Sequence, residues 1–147
     1  MNKCSDDGDD YIINGSKVFI SNGLNSDMVL LCCITDREKK AAHGMSIFCI
    51  DTNTPGFKKG KLLKKIGLKA SDTTELFFED MRVPKSAVLS GESGLNRGFY
   101  FLMHDLGRER MMLASAGILQ MESMFEKTRT YIHEREAFGK PLIKMQV

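Results

Sequence analysis

At 147 residues, with 42% hydrophobic and 27% charged side chains and a net charge of +2, the chain holds enough apolar material for one core and no charge excess that calls for nucleic acid. Its longest uninterrupted apolar run, MVLLCCI from Met28, is far too short to span a bilayer. Cys4, Cys32, Cys33 and Cys49 form no CxxC pair and meet no histidines at zinc-ligand spacing, so they read as buried free thiols of a reducing compartment rather than a disulfide framework or metal site.

The opening MNKCSDDGDD is acidic and polar, without signal or transit character. YIINGSKVFIS, residues 11–21, places two runs of β-branched and aromatic residues around Asn14-Gly15, which predicts a hairpin turn there. A second Asn-Gly at positions 22 and 23 ends that strand. MVLLCCIT, MSIFCID and TELFFED follow as further strands, which predicts an antiparallel sandwich or partly open barrel over residues 1–94. The lysine-rich KKGKLLKKIGLK from Lys58 has apolar residues interleaved and few aromatics, so it reads as a solvated strand and loop face, with a phosphate-bearing ligand as the minority alternative.

LSGESGLNRG, residues 89–98, carries three glycines and no periodicity and reads as a linker. Beyond it, Met103, Leu106, Leu113, Gly117, Met121 and Met124 or Phe125 recur at helical spacing. Gly107 interrupts that pattern, which predicts a short helix to about Asp105 and a longer one from about Arg108, ended near Pro141. The fold class is therefore α+β: a β-domain over 1–94, then helices over 95–147 that begin a bundle and need other helices to cover their apolar face. Within LGRERMMLASAG, Arg110 falls on the stripe of Leu106 and Leu113, and Glu109 lies roughly 100° around the helix. A charge on that stripe needs a partner or must snorkel. Glu109 is open to two readings, a first-turn carboxylate favoured by the helix dipole or a general base.

NGSKVFISNG at residues 14–23, LKASDTTELFFEDMRVP at 68–84 and REAFGKPLIKMQ at 135–146 together resemble, in order and over essentially the whole chain, the acyl-CoA dehydrogenase family. The likeness is strongest to its long-chain branch, with the isovaleryl-CoA branch next. It implies the middle β-domain and the start of the C-terminal helical bundle of an FAD-dependent enzyme acting on acyl-CoA thioesters in fatty acid β-oxidation.

By that resemblance GRER, residues 107–110, holds the Glu-Arg pair of those branches, so Glu109 removes the substrate's α-proton. Arg110 then positions the site, and Gly107 and Arg108 line the substrate channel. Phe19, Ile20 and Ser21 match the strand beside the isoalloxazine, Phe19 packing on the ring and Ser21 bonding near N5. Ala42, His43 and Tyr100 match substrate contacts, and Arg135 and Gln146 match contacts to FAD from a neighbouring subunit. From residue type alone, Phe19 and Tyr100 are ordinary core, His43 is a solvated loop residue, Arg135 pairs with Glu134 or Glu136, and Gln146 is a frayed end.

The resemblance further implies an electron-transferring flavoprotein as redox partner, a homo-oligomer (a homotetramer), and a mitochondrial matrix or bacterial cytoplasmic setting. The family's FAD- and CoA-binding loop is not recognisable in MNKCSDDGDD, so the chain is expected to be a fragment with weak or no FAD binding and negligible activity on its own. The competing expectation is a non-catalytic β-domain whose helix serves as an interaction module, and a branched-chain, isovaleryl-type dehydrogenase of amino-acid catabolism is the alternative within the family.

Overall fold

The computed structural model describes residues 2–146. Six strands form one mixed sheet: β1 (Lys3–Asp7), β2 (Asp10–Ser21), β3 (Met28–Ile34), β4 (Met45–Asp51), β5 (Phe57–Lys59) and β6 (Thr73–Pro84). Their spatial order is β4-β3-β1-β2-β6-β5, with every pairing antiparallel except β1 beside β3. This is the expected α+β arrangement, with one parallel pairing, β1 beside β3, among otherwise antiparallel strands. A helix, α1 (Gly98–Glu134), follows, and a two-stranded ribbon of β7 (Glu136–Ala137) and β8 (Lys140–Pro141) closes the described chain. The described residues divide into two compact units between Met103 and His104.

The first unit has its core on one sheet face, where Ile13, Leu31, Phe48, Leu76, Phe78 and Met81 are buried. Edge-to-face ring pairs, Tyr11 with Phe48 at 5.3 Å and Phe57 with Phe78 at 5.4 Å, add directional contacts to that apolar burial. Cys4 and Cys33 are buried and burial pushes both thiols up to about 12, which keeps them neutral and unreactive. All four cysteines are free, but Cys32 and Cys49 are only half-buried because they fall on the alternate positions of β3 and β4.

Asn14-Gly15 is not a turn. The hairpin turns instead at Gly8-Asp9, where Asp7 pairs with Asp10 and Gly8 adopts φ 69°. Asn14 continues through β2 because its amide is already engaged across the sheet: Nδ2 donates to Asp80 Oδ1 at 3.0 Å, and the Asp80 backbone N–H donates to Asn14 Oδ1 at 2.8 Å. These bonds fasten a bulge in which β6 carries the extra residue, since Ile13 faces Met81 and Gly15 faces Phe78. The bulge re-phases β6, so Leu76 and Phe78 before it and Met81 and Val83 after it all reach the core.

Residues 89–98 are not a free linker. Leu89 N–H donates to Ile47 O, Thr35 Oγ1 donates to Asn96 Oδ1 at 2.7 Å, and Asn96 N–H donates to Ser46 Oγ at 2.8 Å. Ser46 is fully buried, so this polar cluster anchors the segment to the ends of β3 and β4.

The expected helix break at Gly107 is absent: α1 runs 37 residues without interruption. A glycine costs about 1 kcal/mol inside a helix, which the good helix formers around it offset. The helix stops at Glu134, so Pro141 does not end it and lies in β8.

Candidate functional site

Phe19 combines a strained backbone with an exposed ring. Between Lys17, opposite Leu76, and Ile20, opposite Thr74, β2 carries one extra residue, so a second bulge falls at Val18-Phe19. Phe19 takes φ 58° and leaves its ring 76% exposed. An aromatic residue in the left-handed region costs on the order of 1–2 kcal/mol, and here no burial offsets it. Ile20 turns back against the core, and Ser21 ends the strand with its side chain exposed opposite Thr73. The ordinary-core reading of Phe19 therefore fails.

Ala42, His43 and Tyr100 come together. Ala42 and His43 sit on a short 3-10 turn (Ala41–His43), held by His43 N–H donating to Lys40 O and by Thr35 and Asp36 N–H donating to Gly44 O. With Asn96, Arg97, Phe99, Tyr100 and Met103 they line a cavity of about 360 Å³. Tyr100 is exposed at this cavity, so its core reading also fails. Phe19, Ile20 and Ser21 do not line it. Sequence reasoning missed Asn96 and Arg97, which stand directly before the helix and whose only signal was a polar pair at its entry.

In the second unit, Gly107, Arg108, Glu109 and Arg110 lie on successive, exposed positions of α1. Arg108 Nη2 pairs with Asp105 Oδ1 at 2.9 Å, one turn earlier on the helix. Glu109 lies in the interior of α1 rather than in its first turn, which removes the helix-dipole explanation. Among the described residues neither the Glu109 nor the Arg110 side chain has a hydrogen-bond or ion-pair partner, so the structural ion pair for Arg110 is absent.

Arg135 follows the helix, its backbone N–H bonded to Tyr131 O and its carbonyl to Leu142 N–H. Its side chain is exposed and makes no ion pair with Glu134 or Glu136. Gln146 is exposed after a last 3-10 turn (Leu142–Lys144).

Each unit has its own side-chain chemistry. Phe19 offers an apolar ring face, Ser21 a hydroxyl, and Arg135 a planar guanidinium that binds phosphates bidentately. No group of three or more histidine, cysteine or acidic residues fit to hold a metal occurs among the described residues.

A mixed-sheet unit that carries a ligand-sized cavity, followed in sequence by a long helix with exposed apolar side chains, defines an α+β protein. The profile of the acyl-CoA dehydrogenase middle domain matches residues 1–81, and that of the acyl-CoA dehydrogenase C-terminal domain matches residues 96–147. The chain belongs to the acyl-CoA dehydrogenase family. It is 51% identical to the mitochondrial long-chain specific acyl-CoA dehydrogenase of Sus scrofa, over 95% of this chain and 32% of that protein.

Its fold superposes with a TM-score of 0.91 on the acyl-CoA dehydrogenase of Geobacillus kaustophilus, at 41% identity, covering 98% of this chain and 37% of that one. A glutaryl-CoA dehydrogenase of Mycobacterium smegmatis, solved in complex with FADH2, matches with a TM-score of 0.84 and 31% identity, covering 98% of this chain and 35% of that one. The chain thus spans about a third of the length of these relatives.

Proposed function

We propose that this chain is the middle β-domain, residues 1–94, and the first bundle helix, within 95–147, of an FAD-dependent enzyme that introduces an α,β double bond into acyl-CoA thioesters. The observation that carries the reading is Phe19: a bulge holds its backbone at φ 58° and turns the ring outward, at a cost no packing in the sheet repays. A ring face so presented, with the Ser21 hydroxyl two residues on, suits an isoalloxazine with a hydrogen-bonding ring nitrogen. Arg135 and Gln146, both exposed on the second unit, suit the diphosphate side of FAD held by a neighbouring copy.

The α-C–H of a thioester is a weak acid, so its removal needs a carboxylate and fixed donors for the enolate oxygen. Glu109 takes that α-proton on its side chain, and the unpaired Arg110 beside it positions the site while Gly107 and Arg108 border the acyl chain. Phe19, Ile20 and Ser21 would hold the ring system of FAD, which when bound would supply an acceptor for the β-hydrogen leaving as hydride. Ala42, His43 and Tyr100 bind the remainder of the thioester in their cavity. Re-oxidation falls to an electron-transferring flavoprotein, and a mitochondrial matrix setting accords with the Sus scrofa relative.

In the active enzyme carrying this sequence, Glu109→Gln is expected to lower turnover and α-proton exchange by about 10²–10⁴-fold while bound flavin stays constant. Exchange at the unaltered rate would remove Glu109 from the role of base.

One observation favours a second reading. The apolar residues of α1 from Met111 to Phe125 are exposed, which suits a non-catalytic module that docks on related chains. Stoichiometric flavin on the purified chain would count against it.

A further inference from the structure

The lysine-rich stretch that joins β5 to β6 takes no part in the site described above. Residues 58–71 hold six lysines and no acidic residue. Lys58 pairs with Glu79, and Lys65 Nζ donates to Ser71 O at 2.6 Å, whereas among the described residues Lys61, Lys64 and Lys69 have no ion-pair partner. Between these cations the fold leaves aliphatic side chains in water: Leu62 is more than half exposed, Leu68 is 84% exposed and Ile66 is open over its whole surface. One exposed aliphatic residue is ordinary, but a group of them interleaved with unbalanced lysines marks a contact surface.

The loop is held in shape. Leu63 N–H donates to Thr73 O at 2.9 Å, Thr74 Oγ1 donates to Lys61 O at 3.0 Å, and Ser71 N–H donates to Leu68 O at 3.1 Å. Leu68 takes φ 51°, a left-handed backbone whose cost no burial of its side chain offsets. Lys64, Lys65 and Lys69 border an open recess of about 430 Å³ with Leu62, Leu63 and Ser71, and none of these residues lines the Ala42, His43 and Tyr100 cavity. Nucleic acid would call for aromatic rings to stack on, and residues 58–71 contain none. An acidic protein would answer the lysines but would also need an apolar socket for each aliphatic tip. An anionic bilayer answers both at once, since headgroups meet the lysines and the acyl boundary takes the tips. We propose that residues 61–69 dock the protein peripherally on an anionic phospholipid membrane. The contact lies at the membrane surface, because no helix of the described residues is long and apolar enough to cross.

The test sediments the 147-residue chain with vesicles of phosphatidylcholine alone and of phosphatidylcholine with about a third phosphatidylglycerol. The chain is expected to bind the anionic vesicles about tenfold or more tighter than the neutral ones, less so as salt is added. Lys61→Glu, Lys64→Glu and Lys69→Glu together should remove the preference for anionic lipid. Ile66→Ser with Leu68→Asn keeps every charge, gives the left-handed position a residue that tolerates it, and should weaken anionic binding about tenfold. Both sets alter exposed side chains only, so thermal unfolding should stay where it is. Leu113→Ser is the comparison, because α1 also exposes apolar side chains; it should leave the anionic preference intact. Equal binding to the two vesicles would overturn the proposal. Loop variants that bind as the parent does, with Leu113→Ser alone weakened, would overturn it in favour of the helix. A chain that ignores both vesicles overturns it too, and capture of a polyglutamate peptide by the same lysines would then assign the surface to an acidic protein.

Discussion

A single side chain shows most clearly how this sheet departs from what packing alone would select. Phe19 is exposed, so truncating its ring removes little apolar burial, and its instability is confined to the backbone at φ 58°. Phe19→Gly releases left-handed strain of about 1–2 kcal/mol and adds about 0.5–1 kcal/mol of unfolded-chain entropy, a net stabilisation of about 0.5–1 kcal/mol. Phe19→Ala keeps a Cβ and with it the strain, so it should leave stability within about 0.5 kcal/mol of the original. Chemical denaturation separates the two variants. If the ring serves the flavin, both should also weaken flavin binding in the active enzyme, so that the stabilised variant is the less functional one. A Phe19→Gly chain that is clearly less stable would show that the ring packs in solution.

The strands and the helix differ in how far their sequences declared them. Met28–Ile34 and Met45–Asp51 were legible because apolar runs with β-branched and aromatic residues rarely do anything else, and the end of β2 was legible in Asn22-Gly23. Lys3–Asp7 was not, because four of its five residues face solvent and only Cys4 is buried; it is a strand by virtue of its neighbours. Asn14-Gly15 misled because a long-range bond to Asp80 outweighs the local preference for a turn, and Gly107 misled because one glycine does not stop a long helix. For the site, the resemblance supplied the positions, the structure gathered Ala42, His43 and Tyr100 into one cavity, and Asn96 and Arg97 became visible only through it. The anchor beneath that cavity is testable as an element. Ser46 Oγ accepts from Asn96 N–H and lies 2.7 Å from Thr35 Oγ1 in a fully buried position. Ser46→Ala strands the Asn96 N–H and should cost about 1–3 kcal/mol. Amide exchange should then rise at residues 89–97 more than in β2 and β6; uniform acceleration would mean that the cluster supports the whole sheet and not this segment.

At the scale of the molecule, the two units are stabilised by different means. The sheet unit carries its own core, with Ile13, Phe48, Leu76 and Met81 fully buried, whereas the helix beyond Met103 leaves Met111, Leu113 and Phe125 at 67%, 74% and 66% exposure. A helix without a packed face relies on propensity and short-range pairs such as Arg129 with Glu126, each worth a few tenths of a kcal/mol. Amides between Met111 and His133 should therefore open at about 1–2 kcal/mol, while those of Phe48 and Leu76 exchange only through global opening, at about 5–15 kcal/mol. Hydrogen exchange on the dilute chain measures both in one experiment. Protection at Leu113 to Phe125 equal to that of the sheet core would mean that the apolar face is covered in solution. Dilution then identifies the cover: a second copy of the chain releases those amides as concentration falls, and an intramolecular contact does not.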